Sequence, residues 1–181
     1  MALTVVFDLD GTLLDSDAAL VAPFLALGVA ESDITFGHPI EEFCAGLGIS
    51  VDAYLDLYDT DAAQPFEGMS AMLELLGAFS ICSNKHPRYG WAELDRLGWE
   101  PVCALFSSDF GGGPKRLGPM LESLEVDGGD VLFVGDTLHD QRCASDVGAQ
   151  FAWAGWNPRT AASGPSGLVL RRAVDLLDLL D

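Results

Sequence analysis

The sequence predicts an α/β fold with a doubly wound parallel sheet, and three observations support this prediction. Short, continuously apolar runs recur along the chain, as in strands that are buried on both faces. Segments with helical periodicity lie between these runs, which is the alternation of βαβ units. Each apolar run ends at small or polar residues. Because ligands of such sheets bind beyond the carboxyl ends of the strands, we expect the functional site where these polar residues lie.

The predicted strands follow one another along most of the chain. They are residues 4–7, 78–82, 102–106, 131–134 and 150–154, with 168–170 as a candidate edge strand. Helical patterns separate them from residue 69 onwards. The predicted helices there are 69–76, 89–97, 117–124 and 138–147, followed by an amphipathic closing helix over 172–180. Gly77 and Gly98 follow two of these helices directly, at the position where glycine commonly ends a helix.

One segment interrupts the alternation of strands and helices. Between Ser16 and Gln64 the sequence shows only helical patterns, over 17–27, 40–47 and 51–62, and Ser50 is a candidate N-cap for the third. We therefore expect a small helical cap over residues 16–64, inserted after the first strand and above the site. The α/β core then comprises residues 1–15 and 65–181.

The charge balance restricts the classes of partner. The chain carries 28 Asp and Glu against nine Lys and Arg, a formal net charge of −19. Such a chain repels a nucleic-acid backbone and an anionic membrane surface, so neither is an expected partner. A small phosphorylated ligand is not excluded, because one metal ion or a few backbone amides supply local positive charge. The four cysteines form no CxxC pair, and no signal peptide precedes Asp8, so a reducing cytoplasmic location is expected.

The stretch that begins at Asp8 is the most informative part of the sequence. Asp8 and Asp10 leave an apolar strand and enter a turn at Gly11-Thr12. Two carboxylates that point into one crevice are energetically costly unless a cation lies between them. An acidic surface turn is the alternative, but the wholly apolar strand before Asp8 disfavours it.

A second acidic group follows another predicted buried strand, at Gly135-Asp136-Thr137-Leu138-His139-Asp140. If the two strands are neighbours, Asp8, Asp10 and Asp136 converge, and oxygen donors of this kind suit Mg²⁺. The alternative for Asp136 is a helix N-cap, a role that fits Thr137 better.

Two further groups complete a predicted phosphoryl site. Ser83-Asn84 follows the second strand and offers a hydroxyl and backbone amides to a phosphate. Lys115 is one of only two lysines, and the other, Lys85, adjoins Ser83-Asn84. A solvated surface position is the ordinary alternative for a lysine, and it is disfavoured more strongly for Lys115 than for Lys85.

These four motifs, in this order and on these elements, resemble the haloacid dehalogenase-like hydrolase superfamily. The similarity is greatest to its phosphoglycolate phosphatase type, which has a helical cap after the first motif. It covers the core from residue 2 to about 157, whereas the cap is shorter than usual for that type. The resemblance implies a Rossmann-like fold and a Mg²⁺-dependent phosphatase that acts on a small phosphomonoester.

The resemblance also implies a role for each motif residue. Asp8 would be the nucleophile that forms an aspartyl-phosphate, and Asp10 the general acid and base. Ser83, Asn84 and Lys115 would bind the phosphoryl oxygens, with Lys115 also acting in catalysis. The metal ligands would be the Asp8 side chain, the Asp10 main-chain oxygen and the Asp136 side chain. Asp140 would orient Lys115 or a metal-bound water from behind.

Two alternative functions stay open at this point. A phosphomutase or phosphotransferase would pass the phosphoryl group to a hydroxyl, but the cap holds no Lys or Arg to grip a second phosphate. A non-catalytic, phosphate-binding regulatory protein is the other alternative. His139 is expected to face solvent on its helix, although a metal role is possible chemically, and His38 and His86 have no identifiable partner. The oligomeric state is left open between a monomer and a homodimer.

Overall fold

The computed structural model describes residues 3–180 and contains a parallel sheet as its central layer. The strands are β1 (Thr4–Phe7), β2 (Leu14–Asp15), β3 (Gln64–Pro65), β4 (Ser80–Cys82), β5 (Cys103–Leu105), β6 (Val131–Gly135), β7 (Gln150–Ala154) and β8 (Leu168–Leu170). Six of them form one sheet in the order β5-β4-β1-β6-β7-β8, with every neighbouring pair parallel. Strand order therefore reverses direction at β1, as it does in a doubly wound sheet.

Helices cover both faces of this sheet. They are α1 (Asp17–Ala26), α2 (Ile40–Leu47), α3 (Val51–Leu57), α4 (Met69–Leu76), α5 (Pro87–Leu97), α6 (Gly118–Leu124), α7 (Leu138–Asp146), α8 (Pro158–Ala162) and α9 (Leu177–Leu180). Over residues 3–180, no helix combines the length and the apolar character that crossing a lipid bilayer requires. The predicted α/β fold class is confirmed.

The alternation of side chains along β1 divides the core into two clusters, one on each face of the sheet. Val5 and Phe7 belong to one cluster, whereas Val6 packs into the other together with Phe133 of β6. Successive residues of a strand point to opposite faces, so a strand that is apolar at every position is buried on both sides. The continuous apolar runs of the sequence arise from this arrangement.

The segment between β1 and β4 contains features that the sequence did not predict. β2 and β3 pair antiparallel as a two-stranded sheet, with Leu14 opposite Pro65. Each of these strands is too short for periodicity to reveal it. The helical segment 16–64 lies between them. Ser50 caps α3 as predicted, with its hydroxyl accepting a hydrogen bond from the amide of Ala53.

Three predicted helices differ from those observed. The helix predicted over 51–62 ends at Leu57, because Tyr58 adopts an extended backbone and its hydroxyl is held by core residues. A separate 3₁₀ turn follows at Thr60–Ala62. The closing helix predicted over 172–180 is a 3₁₀ turn, Ala173–Leu176, continued by α9. The helix predicted from residue 89 begins two residues earlier, at Pro87, with His86 as its N-cap.

Candidate active site

The carboxyl ends of the central strands bring the predicted motif residues to one edge of the sheet. Phe7 of β1 pairs with Ile81 of β4 and with Val134 of β6. The next residues along these three strands lead to Asp8, to Ser83-Asn84 and to Asp136. The adjacency of β1 and β6, on which the predicted convergence of the acidic motifs depended, is therefore present.

Asp8 lies buried in the floor of a cavity at this edge. Its Oδ1 accepts hydrogen bonds from the Leu9 amide (2.8 Å) and from Lys115 Nζ (2.6 Å). Burial raises the pKa of Asp8 to about 7, assisted by the nearby Asp140 charge and opposed by Lys115. The single positive charge of Lys115 therefore does not offset the cost of burying the Asp8 carboxylate.

Asp8, Asp136 and Asp140 form a buried acidic cluster whose candidate ligand oxygens lie within 4.8 Å of one another. The Asp136 carboxylate contacts the Thr12 hydroxyl (3.3 Å) and the Arg159 guanidinium (2.7 Å). Burial raises the pKa of Asp136 well above its ordinary value, and the like charges of Asp140 and Asp8 add to the shift. Asp136 does not cap α7, since the N-cap is Thr137.

Both oxygens of Asp140 are bound by Thr137 and Lys115. Oδ2 accepts from the Thr137 amide (2.9 Å) and hydroxyl (2.6 Å), and Oδ1 pairs with Lys115 Nζ at 2.6 Å. Burial acts to raise the pKa of Asp140, but Lys115 and the Thr137 hydrogen bonds outweigh it and lower the pKa. Asp140 therefore holds Lys115 in place, whereas a cation bound at Asp136 would replace its contact with Arg159.

Lys115 is buried between two carboxylates at the carboxyl edge of the sheet. Burial acts to lower its pKa, but Asp140 and Asp8 outweigh this and raise the pKa above the ordinary value, so Lys115 stays charged. Its carbonyl oxygen lies 3.1 Å from Nε2 of His139. His139 is therefore half-buried against the Lys115 backbone, and the expectation that it faces solvent is wrong.

Ser83 and Asn84 use their side chains in different ways. The Ser83 hydroxyl is buried, lines the cavity and accepts from the Lys85 amide at 3.3 Å, which leaves its own hydrogen for a ligand. The Asn84 amide donates to the Gly37 carbonyl (2.9 Å) and accepts from the Lys115 amide (2.6 Å). The side chain of Asn84 thus ties the helical segment to Lys115.

Asp10 lines the same cavity and belongs to a second charged network. Its Oδ1 accepts from Lys85 Nζ at 2.7 Å, and Lys85 also contacts Glu93 (2.9 Å) and the Tyr58 hydroxyl (2.7 Å). Tyr58 in turn donates to Glu93 at 2.7 Å. Burial acts to lower the pKa of Lys85, but Asp10 and Glu93 outweigh this and raise it. Burial raises the pKa of Glu93 to about 7. Lys85 acts to lower this pKa, and the Asp10 charge acts to raise it.

Several residues of the site were missed by the sequence analysis. Arg159, at the start of α8, forms a two-pronged ion pair with Asp17 (3.0 and 3.1 Å) and reaches Asp136. The position of Arg159 could have been inferred from the sequence, because Asn157-Pro158-Arg159 follows β7 at the same carboxyl edge and Asn157 caps the helix. No local pattern marks Tyr58 or Glu93, because only the tertiary fold places them beside Lys85.

The charge inventory shows that the site suits a divalent cation. Among residues 3–180, the ion pairs of the site join six acidic side chains to three basic ones. The acidic residues are Asp8, Asp10, Asp17, Glu93, Asp136 and Asp140, and the basic residues are Lys85, Lys115 and Arg159. Every acidic ligand candidate is a hard oxygen donor, which is the type that Mg²⁺ prefers. Gly11 permits the close approach of these groups. Its φ is +77°, and a Cβ there would lie within 2.5 Å of Arg159 and Asp136.

A cavity opens over Asp8 and Asp10, with the helical segment 16–64 as its opposite wall. Leu20, Phe24, Phe43 and Tyr54 line it from α1, α2 and α3. The space open to the centres of water-sized spheres is about 80 Å³. By the same measure a single water needs roughly 10–15 Å³, so the cavity is large enough for a small organic group.

Comparison with known proteins identifies similar sequences. A family model described as haloacid dehalogenase-like hydrolase matches residues 5–154. An N-acetylmuramic acid 6-phosphate phosphatase of Pseudomonas aeruginosa is 24% identical, over 98% of this chain and 94% of that protein. A phosphoglycolate phosphatase of Xylella fastidiosa is 25% identical, over 90% of this chain and 84% of that protein.

Solved structures share the fold. A haloacid dehalogenase-like family hydrolase from Streptococcus pneumoniae superposes with a TM-score of 0.78 at 21% identity, covering 99% of both chains. A HAD phosphatase from Thermococcus onnurineus gives a TM-score of 0.68 at 20% identity, covering 98% of this chain and 97% of that one. At these identities the likeness shows the architecture alone.

Proposed function

The chain belongs to the haloacid dehalogenase-like hydrolase family, and from this premise we propose that it is a phosphatase that hydrolyses a small phosphomonoester through a covalent intermediate on Asp8. The observation that carries the proposal is the position of Asp8. Its carboxylate lies buried in the floor of the cavity, held by Lys115, and a second carboxylate, Asp10, lines the same space. This arrangement pairs a nucleophile with a proton donor.

Asp8 and Asp10 divide the reaction into two displacements. In the first, an Asp8 oxygen attacks phosphorus, the bond to the leaving oxygen breaks with its electron pair, and Asp10 donates a proton to that oxygen. In the second, Asp10 takes a proton from water, the water oxygen attacks phosphorus, and the Asp8–phosphorus ester bond breaks to release phosphate. Asp10 enters the first step protonated, and Lys85, 2.7 Å away, would stabilise the carboxylate that this step leaves and that accepts a proton from water in the second.

Three groups would bind the phosphoryl oxygens. Lys115 supplies a fixed positive charge beside Asp8, the Ser83 hydroxyl supplies a donor, and the main-chain N–H of Asn84 supplies another. The side-chain amide of Asn84 is committed to Gly37 and Lys115, so its part in binding phosphate would fall to the backbone. Fixed donors of this kind stabilise the charge that develops on the phosphoryl oxygens.

A Mg²⁺ ion fits the acidic cluster, with the Asp8 and Asp136 side chains and the Asp10 main-chain oxygen as its proposed protein ligands. The proximity of these carboxylates supports this assignment, and burial, which raises the pKa of both Asp8 and Asp136, makes a bound cation favourable there. When bound, the ion neutralises charge on the phosphoryl group and on the nucleophile. Asp140 would act from behind by orienting Lys115, with which it already pairs.

We assign residues 16–64 to a cap that covers the core formed by 1–15 and 65–181. The two-stranded β2–β3 sheet at the junctions supports this division. Tyr58 of the cap contacts Lys85 and Glu93 of the core, and Asn84 donates to Gly37 of the cap. A cap placed in this way excludes bulk water from the phosphoryl site.

The experiment that tests the proposal is hydrolysis of an aryl phosphate by the purified chain with Mg²⁺, and again after chelation. We expect turnover that chelation abolishes and that Asp8→Asn lowers by at least about a thousandfold, because the nucleophile is lost. Asp15→Asn is the matched control, since Asp15 is exposed and lies in the same acidic stretch. Turnover that persists in Asp8→Asn contradicts the proposed mechanism.

A further inference from the structure

The wall of the cavity that faces the nucleophile is made of aromatic side chains. Phe24, Phe36, Phe43, Tyr54 and Tyr58 line it from the helical segment 16–64, and we refer to them as the aromatic wall. Phe24 packs against Phe43 (5.2 Å between ring centroids) and against Tyr54 (4.5 Å), and Tyr54 continues to Tyr58 (6.2 Å). Phe43, Phe24, Tyr54 and Tyr58 therefore form one continuous apolar surface, and Phe36 lies beneath Arg159.

The tyrosine hydroxyls at this surface are already bonded within the protein. Tyr54 donates to the Leu20 carbonyl (3.0 Å), and Tyr58 donates to Glu93. Tyr89, which lines the cavity from α5 and packs on Tyr58, donates to the Leu55 carbonyl. What these residues offer to a ligand is the faces and edges of their rings.

Every lysine and arginine at the cavity is compensated by carboxylates. Lys85 pairs with Asp10 and Glu93, and Lys115 pairs with Asp8 and Asp140. Arg159 is held by both oxygens of Asp17 and also reaches Asp136, so a metal ion bound at Asp136 would still leave the two-pronged pair intact. Residues 16–64 contain no Lys or Arg at all.

From these observations we infer that the leaving group of the substrate is an uncharged alcohol with an apolar or aromatic skeleton, and that a second anionic group on the substrate is selected against. The inference rests on the proposed phosphatase function. Arg159 lies 4.4 Å from the Phe36 ring but is already paired with Asp17. A carboxylate that entered beside the aromatic wall would therefore lose its hydration without gaining an uncompensated lysine or arginine, and burial of an unpaired charge is strongly unfavourable. An aryl or small alkyl group would bury apolar surface against the rings instead.

This inference separates the chain from one of its named relatives. Phosphoglycolate carries a carboxylate beside its phosphate, so that substrate combines the two charges that the cavity cannot both accommodate. We therefore expect this chain to differ in substrate from the phosphoglycolate phosphatase to which it is 25% identical.

The test compares three phosphate esters with the wild-type chain and Mg²⁺ at pH 8, where the phosphate is fully ionised. They are phenyl phosphate, 2-phosphoglycolate and 2-phosphoglycolamide, the last two being nearly isosteric and differing by one charge. We expect kcat/KM to be at least about tenfold lower for phosphoglycolate than for its amide, a factor equal to about 1.4 kcal/mol, and highest for phenyl phosphate. Equal or faster turnover of phosphoglycolate overturns the inference and leaves the phosphatase function standing. If none of the three esters is hydrolysed, both this inference and the proposed phosphatase function are refuted.

A pair of variants shows whether charge is the cause. Thr35 is exposed and lines the cavity from the helical segment, so a longer side chain fits there without repacking the core. Thr35→Lys supplies the missing cation, and Thr35→Met is the matched control of similar length without charge. We expect Thr35→Lys alone to shift the phosphoglycolate-to-amide ratio at least about threefold towards phosphoglycolate. A ratio unchanged in Thr35→Lys, or shifted equally in Thr35→Met, overturns charge as the basis of selection.

Discussion

Replacement of Lys85 by methionine tests the buried network that links the helical segment to the core. The Lys85 side chain is 3% exposed, and its ammonium lies 2.7 Å from Asp10, 2.9 Å from Glu93 and 2.7 Å from the Tyr58 hydroxyl. Methionine fills a similar volume but leaves Glu93, which is fully buried, with Tyr58 as its remaining donor. Removing one partner of a buried ion pair typically costs about 3–5 kcal/mol.

We therefore expect Lys85→Met to lower the free energy of unfolding by about 3–5 kcal/mol, a large part of the 5–15 kcal/mol that is typical of a domain. Guanidinium unfolding at pH 8, followed by tryptophan fluorescence, measures this loss above the wild-type Glu93 pKa of about 7. The double variant Lys85→Met/Glu93→Gln is the matched control, because it removes the unpaired charge as well. It should recover at least about 2 kcal/mol of the loss. A loss below about 1 kcal/mol in Lys85→Met, or no recovery in the double variant, refutes the reasoning.

Three further predictions concern the same site. The folded-state pKa of Glu93 is raised to about 7, so the folded protein keeps a proton that the unfolded chain has lost above pH 4.5. Wild type should therefore lose up to about 3 kcal/mol relative to Glu93→Gln as pH rises from 4.5 to 7, and parallel stability curves would contradict this. Mg²⁺ at about a hundred times its Kd should raise the free energy of unfolding of the wild type by about 2.7 kcal/mol. It should stabilise the control variant Asp56→Asn, in which an exposed residue is changed, by the same amount, and it should not stabilise Asp136→Asn. Equal stabilisation of Asp136→Asn argues against its role as a ligand. Tyr58→Phe removes the donor to Glu93 and an acceptor of Lys85, and chemical unfolding should show a loss of about 1–3 kcal/mol. A loss under about 0.5 kcal/mol would show that Tyr58 contributes little to the network.

The central sheet could be predicted because strands that are buried on both faces have continuously apolar sequences. The central strands are apolar apart from their first residues in β1 and β4, Thr4 and Ser80, and they end just before motif residues, as at Phe7-Asp8 and Gly135-Asp136. The rule that ligands bind at the carboxyl ends of parallel strands then places the motifs together without knowledge of the contacts. The confirmed fold class depended on this pattern, and the convergence of Asp8 with Asp136 follows from the adjacency of β1 and β6.

The parts that escaped prediction depend on contacts distant in sequence. Tyr58 ends α3 because core residues hold its hydroxyl, and Glu93 lies 35 positions further along the chain. The strands β2 and β3 are two residues each and derive their pairing from the junction they close. Arg159 falls between these cases: its position after β7 was visible, but its ion pair with Asp17, 142 residues away, was not.

Direct trapping of a phosphorylated Asp8 tests the central proposal most sharply. In Asp10→Asn the first displacement can still occur with an aryl phosphate, whose leaving group needs little proton donation, whereas the second loses the base that activates water. Acid quenching of this variant with Mg²⁺ and the aryl phosphate, followed by intact-mass measurement and peptide mapping, should show one added phosphoryl group per chain, located on Asp8. The double variant Asp8→Asn/Asp10→Asn should show none. A phosphoryl group on another residue, or aryl phosphate hydrolysis by Asp10→Asn without any trapped phosphoenzyme, would contradict the account.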